Sequence, residues 1–333
     1  MGGVELIGLD DVRSAAANLA GVAVRTPLLA AEWAGGELWL KPENLQPIGA
    51  FKLRGAHHAL ARLPADVRER GVVAHSSGNH GQAVAYAART FGVPCVVVMP
   101  DVAEPHKVAA TRRLGAEVVL VAPAERATTM AAIAAGRQLT AIPPFDHPDV
   151  IAGQGSVGLE IAADLPEVEL VLVPVGGGGL ASGVATAVKA LVPKARVVGV
   201  EPAVAADARE SLAAGRLRPW PVEQTYRTVA DGLRTQLSEL TLAHLVARLD
   251  GIVTVTEDEI LRATGDLLHQ ARMVVEPSGA VAAAGYLYRR DELPPGKTVA
   301  VISGGNISPA LLARLAAEGE ARPASEGDAR PGG

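Results

Sequence analysis

The sequence predicts an α/β protein of two domains, built on largely parallel sheets with helices on both faces. Two observations lead there. The chain has 333 residues, 49% of them hydrophobic, which exceeds one typical domain of about 100–200 residues and supplies a large core. Short β-branched runs then alternate with Ala-rich helical stretches, the pattern of parallel strands joined by crossover helices.

Strands are predicted at 72–75, 95–99, 117–121, 170–175, 196–201, 252–255 and 298–303. Helices are predicted near 80–91, 105–114, 124–139, 156–164, 180–192, 257–271 and 278–290. Thr256 and Glu259 form a capping box, each side chain satisfying an orphan backbone donor. Breaks near Pro64 and Pro143-Pro144 outline a smaller unit, 66–147, inserted into a larger one made of 1–65 and 148–320. Residues 321–333 are rich in Glu, Gly and Pro and too poor in apolar surface to fold, so a disordered tail is expected.

Composition narrows the function. A net charge of −5 with 20% charged residues offers no basic face for nucleic acid, which leaves small molecules or copies of the chain as partners. The single cysteine, Cys95, excludes an intrachain disulfide and sits in an apolar run as a buried strand thiol. Glu5, Asp10, Asp11 and Arg13 interrupt any signal-peptide stretch. The uncharged run 170–188 is nearly long enough to span a bilayer, but Pro174 and four glycines break it, so no membrane segment and a cytoplasmic location are expected.

Four segments could carry chemistry. In the first, Lys52 is the one lysine of six flanked by large apolar residues, Phe51 and Leu53, a setting that lowers an amine pKa and favours attack on an aldehyde. A snorkelling surface lysine is the plain alternative. In the second, Ser76-Ser77-Gly78-Asn79-His80-Gly81 joins a strand to a helix. Its free amides suit a carboxylate or phosphate, or merely cap the helix. His80 has no metal-ligand neighbour in sequence and reads as a helix-start residue.

The third segment, Gly176-Gly177-Gly178-Gly179-Leu180, follows an apolar strand and opens a helix, so its amides can approach a phosphate closely. Gly176, Gly178 and Ala181 also satisfy a loose dinucleotide fingerprint, with Glu201 where a ribose-binding acid would stand. A nicotinamide-dependent oxidoreductase is therefore a rival reading of this segment. The fourth, Ser303-Gly304-Gly305-Asn306, ends the last strand, where α/β sheets meet their ligands.

Taken together and in order, these segments resemble the fold-type II pyridoxal-phosphate enzymes, a tryptophan synthase β-like fold, and within them the serine/threonine dehydratase and serine racemase group. The resemblance spans about residues 20–310. It also includes Lys41-Pro42-Glu43-Asn44, Ile151-Ala152-Gly153-Gln154-Gly155 and Glu276-Pro277-Ser278-Gly279. It implies that Lys52 forms the Schiff base with pyridoxal phosphate and then serves as general base. It implies cofactor contacts from Phe51, Asn79, Gly176, Gly177, Gly178, Gly179, Leu180, Glu276 and Ser303, and a substrate carboxylate held around Ser76, Ser77, Asn79 and His80.

The implied activity is β-elimination of a small β-hydroxy amino acid, such as threonine or serine, to a 2-oxo acid and ammonia. Ser77 stands where serine racemases use an acid/base on the face opposite the lysine, so racemisation is a close alternative. Glu201, Ala205 and Asp207 match the group's divalent-cation site, two carboxylates and a backbone carbonyl for Mg²⁺ or Ca²⁺, which re-reads Glu201 as a metal ligand. Two departures touch substrate recognition: Ala50 replaces a usual serine, and Gln236 replaces a small hydroxyl residue. Arg234 could pair with a second carboxylate, as 3-hydroxyaspartate requires, or be a plain surface arginine. A homodimer and freedom from isoleucine feedback are further expectations of the resemblance.

Overall fold

The computed structural model describes residues 4–76 and 78–320, so Ser77 and the 321–333 tail lie outside the described residues. Ten strands are described: β1 Leu29–Ala30, β2 Leu38–Pro42, β3 Val72–His75, β4 Cys95–Pro100, β5 Glu117–Val121, β6 Thr140–Ala141, β7 Leu170–Pro174, β8 Arg196–Pro202, β9 Gly251–Val255 and β10 Thr298–Ile302. They form a six-stranded sheet in the order β1-β2-β10-β7-β8-β9 and a four-stranded sheet in the order β5-β4-β3-β6. Every pairing is parallel except β1 with β2.

The unbroken apolar strands follow from burial on both faces. Along β7, Leu170 and Leu172 enter one core while Val171 and Val173 enter the other, and β10 divides Ala300 and Ile302 from Val299 and Val301 in the same way. The smaller sheet repeats the device, with Val72 and Ala74 on one side and Val73 on the other. Cys95 lies buried in β4, its thiol pushed up to about 12 by desolvation, as befits an inert core residue.

All seven predicted strands are present to within a residue, and the Thr256–Glu259 capping box forms. The two-residue strands β1 and β6 and the five-residue β2 were not among them. The helix expected at 156–164 instead runs Pro148–Asp164, because the His147 side chain accepts from the Asp149 amide and Pro148 suits the first turn. Glycines inside it obscure the apolar period but serve packing. A Cβ on Gly183 of helix Gly179–Leu191 would run into the Ile151 carbonyl and the Gly155 backbone, so the two helices approach only because both positions are glycine. Helices Leu9–Asn18, Lys52–Arg62, Ala65–Arg70, Asp207–Ala214, Glu239–Arg248 and Pro309–Glu320 also lay outside the expectation.

One feature of the interior was not foreseen. Arg54, 1% exposed, donates from Nε (2.7 Å) and Nη2 (2.8 Å) to the two oxygens of Glu43, and from Nη1 to Glu160 (2.6 Å). Lys41 Nζ donates to Glu160 (2.6 Å) and to the Thr26 carbonyl (2.6 Å), and Thr26 Oγ1 donates to Glu43 (2.8 Å). Burial pushes the Glu43 carboxyl up, but Arg54 and Lys41 outweigh it and hold Glu43 below the ordinary carboxylate range. That contribution is present above the unfolded carboxyl's pKa and disappears as pH falls through the lowered folded value.

Removing one member of a buried ion cluster leaves charge unpaired. Arg54→Met is expected to lower unfolding free energy by about 3–5 kcal/mol in urea titration at neutral pH. A loss below about 1 kcal/mol, the range of a surface pair, would show that the cluster carries little stability.

Candidate active site

The carboxyl ends of the strands open on a cavity of about 680 Å³ between the two sheets, where α/β sheets place their ligands. A smaller hollow of about 270 Å³, by Tyr286 and Arg290, lies at the opposite ends of β7 and β10. The sequence motifs meet in the larger one.

Lys52 opens helix Lys52–Arg62, and its approach is fixed by β10. The Phe51 amide donates to the Ser303 carbonyl (3.1 Å), and Ala50 bridges Gly304. Its Nζ donates to the Pro144 carbonyl (2.6 Å) and lies 5.1 Å from the centre of the Phe51 ring. By accessible surface Lys52 is only half-buried, because it faces the cavity, yet protein surrounds the amine and desolvation lowers its pKa to about 8.

The glycine loop leaves β7 and starts helix Gly179–Leu191, with Gly178 in the left-handed region at φ +83°. A side chain there would be strained, and a Cβ on Gly177 would enter the Phe145 ring. Backbone amides at a helix N-terminus thus border the cavity without side chains in the way.

Asn79 starts the helix after β3 and ties the remaining motifs together. Its Nδ2 donates to Glu276 Oε1 (2.5 Å), and its Oδ1 accepts from Asn306 Nδ2 (2.7 Å), which also donates to the Ile48 carbonyl (2.9 Å). Burial and the nearby Asp231 carboxylate raise Glu276 to about 7, against the opposing pull of Asn79 and Lys107. Ser303 lines the cavity and its hydroxyl donates to the Ser278 carbonyl (3.3 Å). Ser76 borders the cavity, and Ser77 lies outside the described residues.

His80 borders the cavity, but its ring turns to the Ile142 carbonyl at 2.8 Å and is 4% exposed. Only its backbone amide remains for a substrate carboxylate. Arg234 is a cavity-wall residue, stacked on Tyr226 at 5.2 Å and donating to the Thr228 carbonyl (2.9 Å). The Gln236 amide donates to the Trp220 carbonyl (2.5 Å).

Sequence reasoning missed the polar ties across the cavity mouth. Lys107 pairs with Asp231 (3.0 Å), and Arg126 reaches the Tyr226 hydroxyl (3.4 Å). It also missed Pro144, which with Pro143 read only as a boundary, and Phe145 beside it. Nothing local in the sequence marks these residues, because their partners are distant along the chain.

Apart from this cavity, Glu201 and Asp207 are 1% and 3% exposed, with Ala205 between them buried. Both Glu201 oxygens accept backbone amides, from Ala208 (3.0 Å) and Arg209 (2.9 Å), at the start of helix Asp207–Ala214. Burial and the Asp207 charge raise Glu201 well above its ordinary value, and burial raises Asp207 to about 6. Among the described residues no group of three or more His, Cys, Asp or Glu is gathered for a metal, so any ion here would rest on two carboxylates and a carbonyl.

The family model for pyridoxal-phosphate dependent enzymes matches residues 20–304. The chain belongs to that family. It is 43% identical to an L-threonine ammonia-lyase of Thermotoga maritima, over 94% of this chain and 79% of the relative. It is 37% identical to an L-threo-3-hydroxyaspartate ammonia-lyase of Saccharomyces cerevisiae, over 94% of this chain and 97% of the relative. The structure of maize serine racemase superposes with a TM-score of 0.89 at 32% identity, covering 95% of this chain and 99% of the other. The nicotinamide reading of the glycine loop is thereby set aside.

The cavity fits pyridoxal phosphate on its own chemistry. It offers a desolvated amine, amides at a helix start for a phosphate, and the Asn79 and Ser303 side chains at its wall. The raised Glu276 carboxyl gives a test by linkage. Because the fold favours its protonated form, the contribution of Glu276 to stability should fall as pH rises from about 4.5 to about 7 and level off above. In cofactor-free protein, Glu276→Gln should gain on the order of 3 kcal/mol over wild type at pH 8 relative to pH 4, by urea unfolding at both pH values. An equal difference at the two would show that Glu276 is not strained by its burial.

Proposed function

We propose that the chain is an ammonia-lyase that eliminates the β-hydroxyl of a small amino acid, threonine or serine, giving ammonia and the 2-oxo acid, the water lost in elimination being taken up again when the released enamine hydrolyses. The observation that carries this reading is the Lys52 amine, lowered to about 8 and enclosed beside the glycine loop. The likeness to threonine and hydroxyaspartate ammonia-lyases supports it.

Lys52 would hold the cofactor, and the amides of Gly176 to Leu180 its phosphate. Phe51 would pack beside the ring, with Asn79, Glu276 and Ser303 around its polar edge. Bound there, pyridoxal phosphate supplies an electron sink that acidifies the substrate Cα–H. The amides around Ser76 to His80 would orient the substrate carboxylate. Lys52 would take the Cα proton, and a pKa near 8 leaves a useful unprotonated fraction at neutral pH. Ser303 would offer the pyridine nitrogen a neutral hydroxyl that does not force its protonation, which would favour elimination over transamination.

Racemisation is the second reading, supported by the likeness to maize serine racemase, with Ser77 as the acid/base opposite Lys52. The smaller sheet supports a domain of residues 66–147 set into one of 1–65 and 148–320. A homodimer belongs to the same proposal. Val24, Leu45 and Val274 are exposed apolar residues whose neighbours are hydrogen-bonded together, a patch that suits an interface. No helix among the described residues is long and apolar enough to cross a membrane, and a cytoplasmic location completes the proposal.

Lys52→Ala is expected to remove the yellow, borohydride-sensitive absorbance and lower elimination by at least about 10³-fold, followed as 2-oxo acid released from L-threonine and L-serine. Retained turnover would sink the reading, and chiral analysis of recovered serine in the wild-type assay reads any racemisation. We also propose that Glu201, Asp207 and the Ala205 carbonyl hold Mg²⁺ or Ca²⁺. After chelation, 5 mM-scale Mg²⁺ (roughly saturating for a weak site) should raise the Tm by about 2–5 °C in wild type but not in Asp207→Asn. Identical melting with and without the ion in wild type would leave the site without a metal role.

A further inference from the structure

We infer that His80 is a positioning residue for Lys52, acting through the strap Ile142–His147 that holds the lysine amine. The inference rests on the reading of Lys52 as the working amine. The strap carries the chain from the edge of the smaller sheet to helix Pro148–Asp164, passing between Lys52 and the glycine loop. Its start is pinned by the Ile142 amide, which donates to the Val73 carbonyl (3.0 Å), and its end by the His147 cap on that helix.

Between those anchors stand Pro143 and Pro144, which have no amide hydrogen to offer any partner. The Ile142 carbonyl is therefore a valuable handle, and the His80 ring takes it at 2.8 Å. A carbonyl only accepts, so Nε2 carries the hydrogen. Two residues on, the Pro144 carbonyl accepts from Lys52 Nζ at 2.6 Å. The next residue, Phe145, lies against Gly177 and Gly179, where a Cβ would clash with it. One short strap thus touches both the amine and the phosphate cradle.

The ring must stay neutral to do this without repelling the amine. Burial, with the Lys52 charge nearby, lowers its pKa to about 3, so the ring is neutral near neutral pH. His80 also sits one residue after Asn79. The helix start that meets the substrate side of the cavity therefore also holds the lysine side.

After a proton moves to Lys52, the resulting ammonium needs an acceptor in a desolvated place, and the Pro144 carbonyl supplies one. Losing the His80 handle lets that carbonyl drift. A displacement of about 1 Å in a reacting geometry can cost about 10²-fold.

The test compares His80→Leu, which keeps bulk and loses the donor, with His80→Gln, whose amide can reach the same carbonyl. Holoenzyme of each is assayed for elimination per loaded site, and hydrogen exchange is followed by mass spectrometry on peptides covering 139–151. We expect His80→Leu to lower kcat about 10–100-fold, with KM within about threefold, and to exchange faster in that segment alone. His80→Gln should recover most of both.

Unchanged kcat in His80→Leu overturns the proposal. So does faster exchange spread evenly over the protein with no rescue by Gln, which marks a merely structural histidine. Should His80→Leu not fold, His80→Asn, whose shorter amide falls short of the carbonyl, takes its place with the same outcomes required. Failure of the lyase reading itself is separate and shows as turnover retained by Lys52→Ala.

Discussion

Charge buried without water must be matched at once, and in this protein the matching of Arg54 sets the frame of the site. Its guanidinium spans Glu43 beside β2 and Glu160 on helix Pro148–Asp164, and Lys41 closes the set on Glu160. Two acids and two bases leave no net charge, so the cluster needs no counterion. Lys52 stands two residues before Arg54 on the same helix, about 200° around its axis. One face of the first turn is thereby anchored in the interior while the opposite face presents an amine to the cavity. The direction of Lys52 is thus set by a residue that never meets a ligand.

The cavity wall follows a single electrostatic rule. Removal from water lowers Lys52 to about 8 and His80 to about 3, and it raises Glu276 to about 7. Each shift favours the uncharged form. An anionic ligand therefore finds backbone amides and an amine close to its titration point, with the neighbouring carboxyl held toward its protonated form. Formal charge is kept at the mouth, where Lys107 is paired with Asp231 and the Arg126 and Arg234 guanidiniums lie against Tyr226.

Most of the fold was legible because strands buried on both faces spell continuous β-branched runs, and 170–174 and 298–302 could hardly read otherwise. Two-residue strands such as β1 and β6 leave no period to detect. Helix Lys52–Arg62 hid for a different reason: Arg54, His57 and His58 are buried in it, so its polar residues do not mark a solvent face. In the site, the residues found in advance were those whose own chemistry is distinctive, namely a lysine in an apolar setting and a run of four glycines. Those missed, Pro144, Phe145, Asp231 and Tyr226, act through position alone. A proline carbonyl is a ligand only where a distant amine is brought to it.

That dependence on position gives the smaller sheet its consequence. β3 pairs with β6, Val72 opposite Thr140 and Val73 opposite Ala141. Helix Asn79–Phe91, which carries His80, follows β3, and the strap leaving β6 runs through Pro144 to Phe145. The two segments depart in the same direction from neighbouring parallel strands, and the His80–Ile142 hydrogen bond joins them again beyond the sheet. The helix start that carries Asn79 and the strap whose Pro144 carbonyl accepts from Lys52 are therefore held to each other as well as to the sheet.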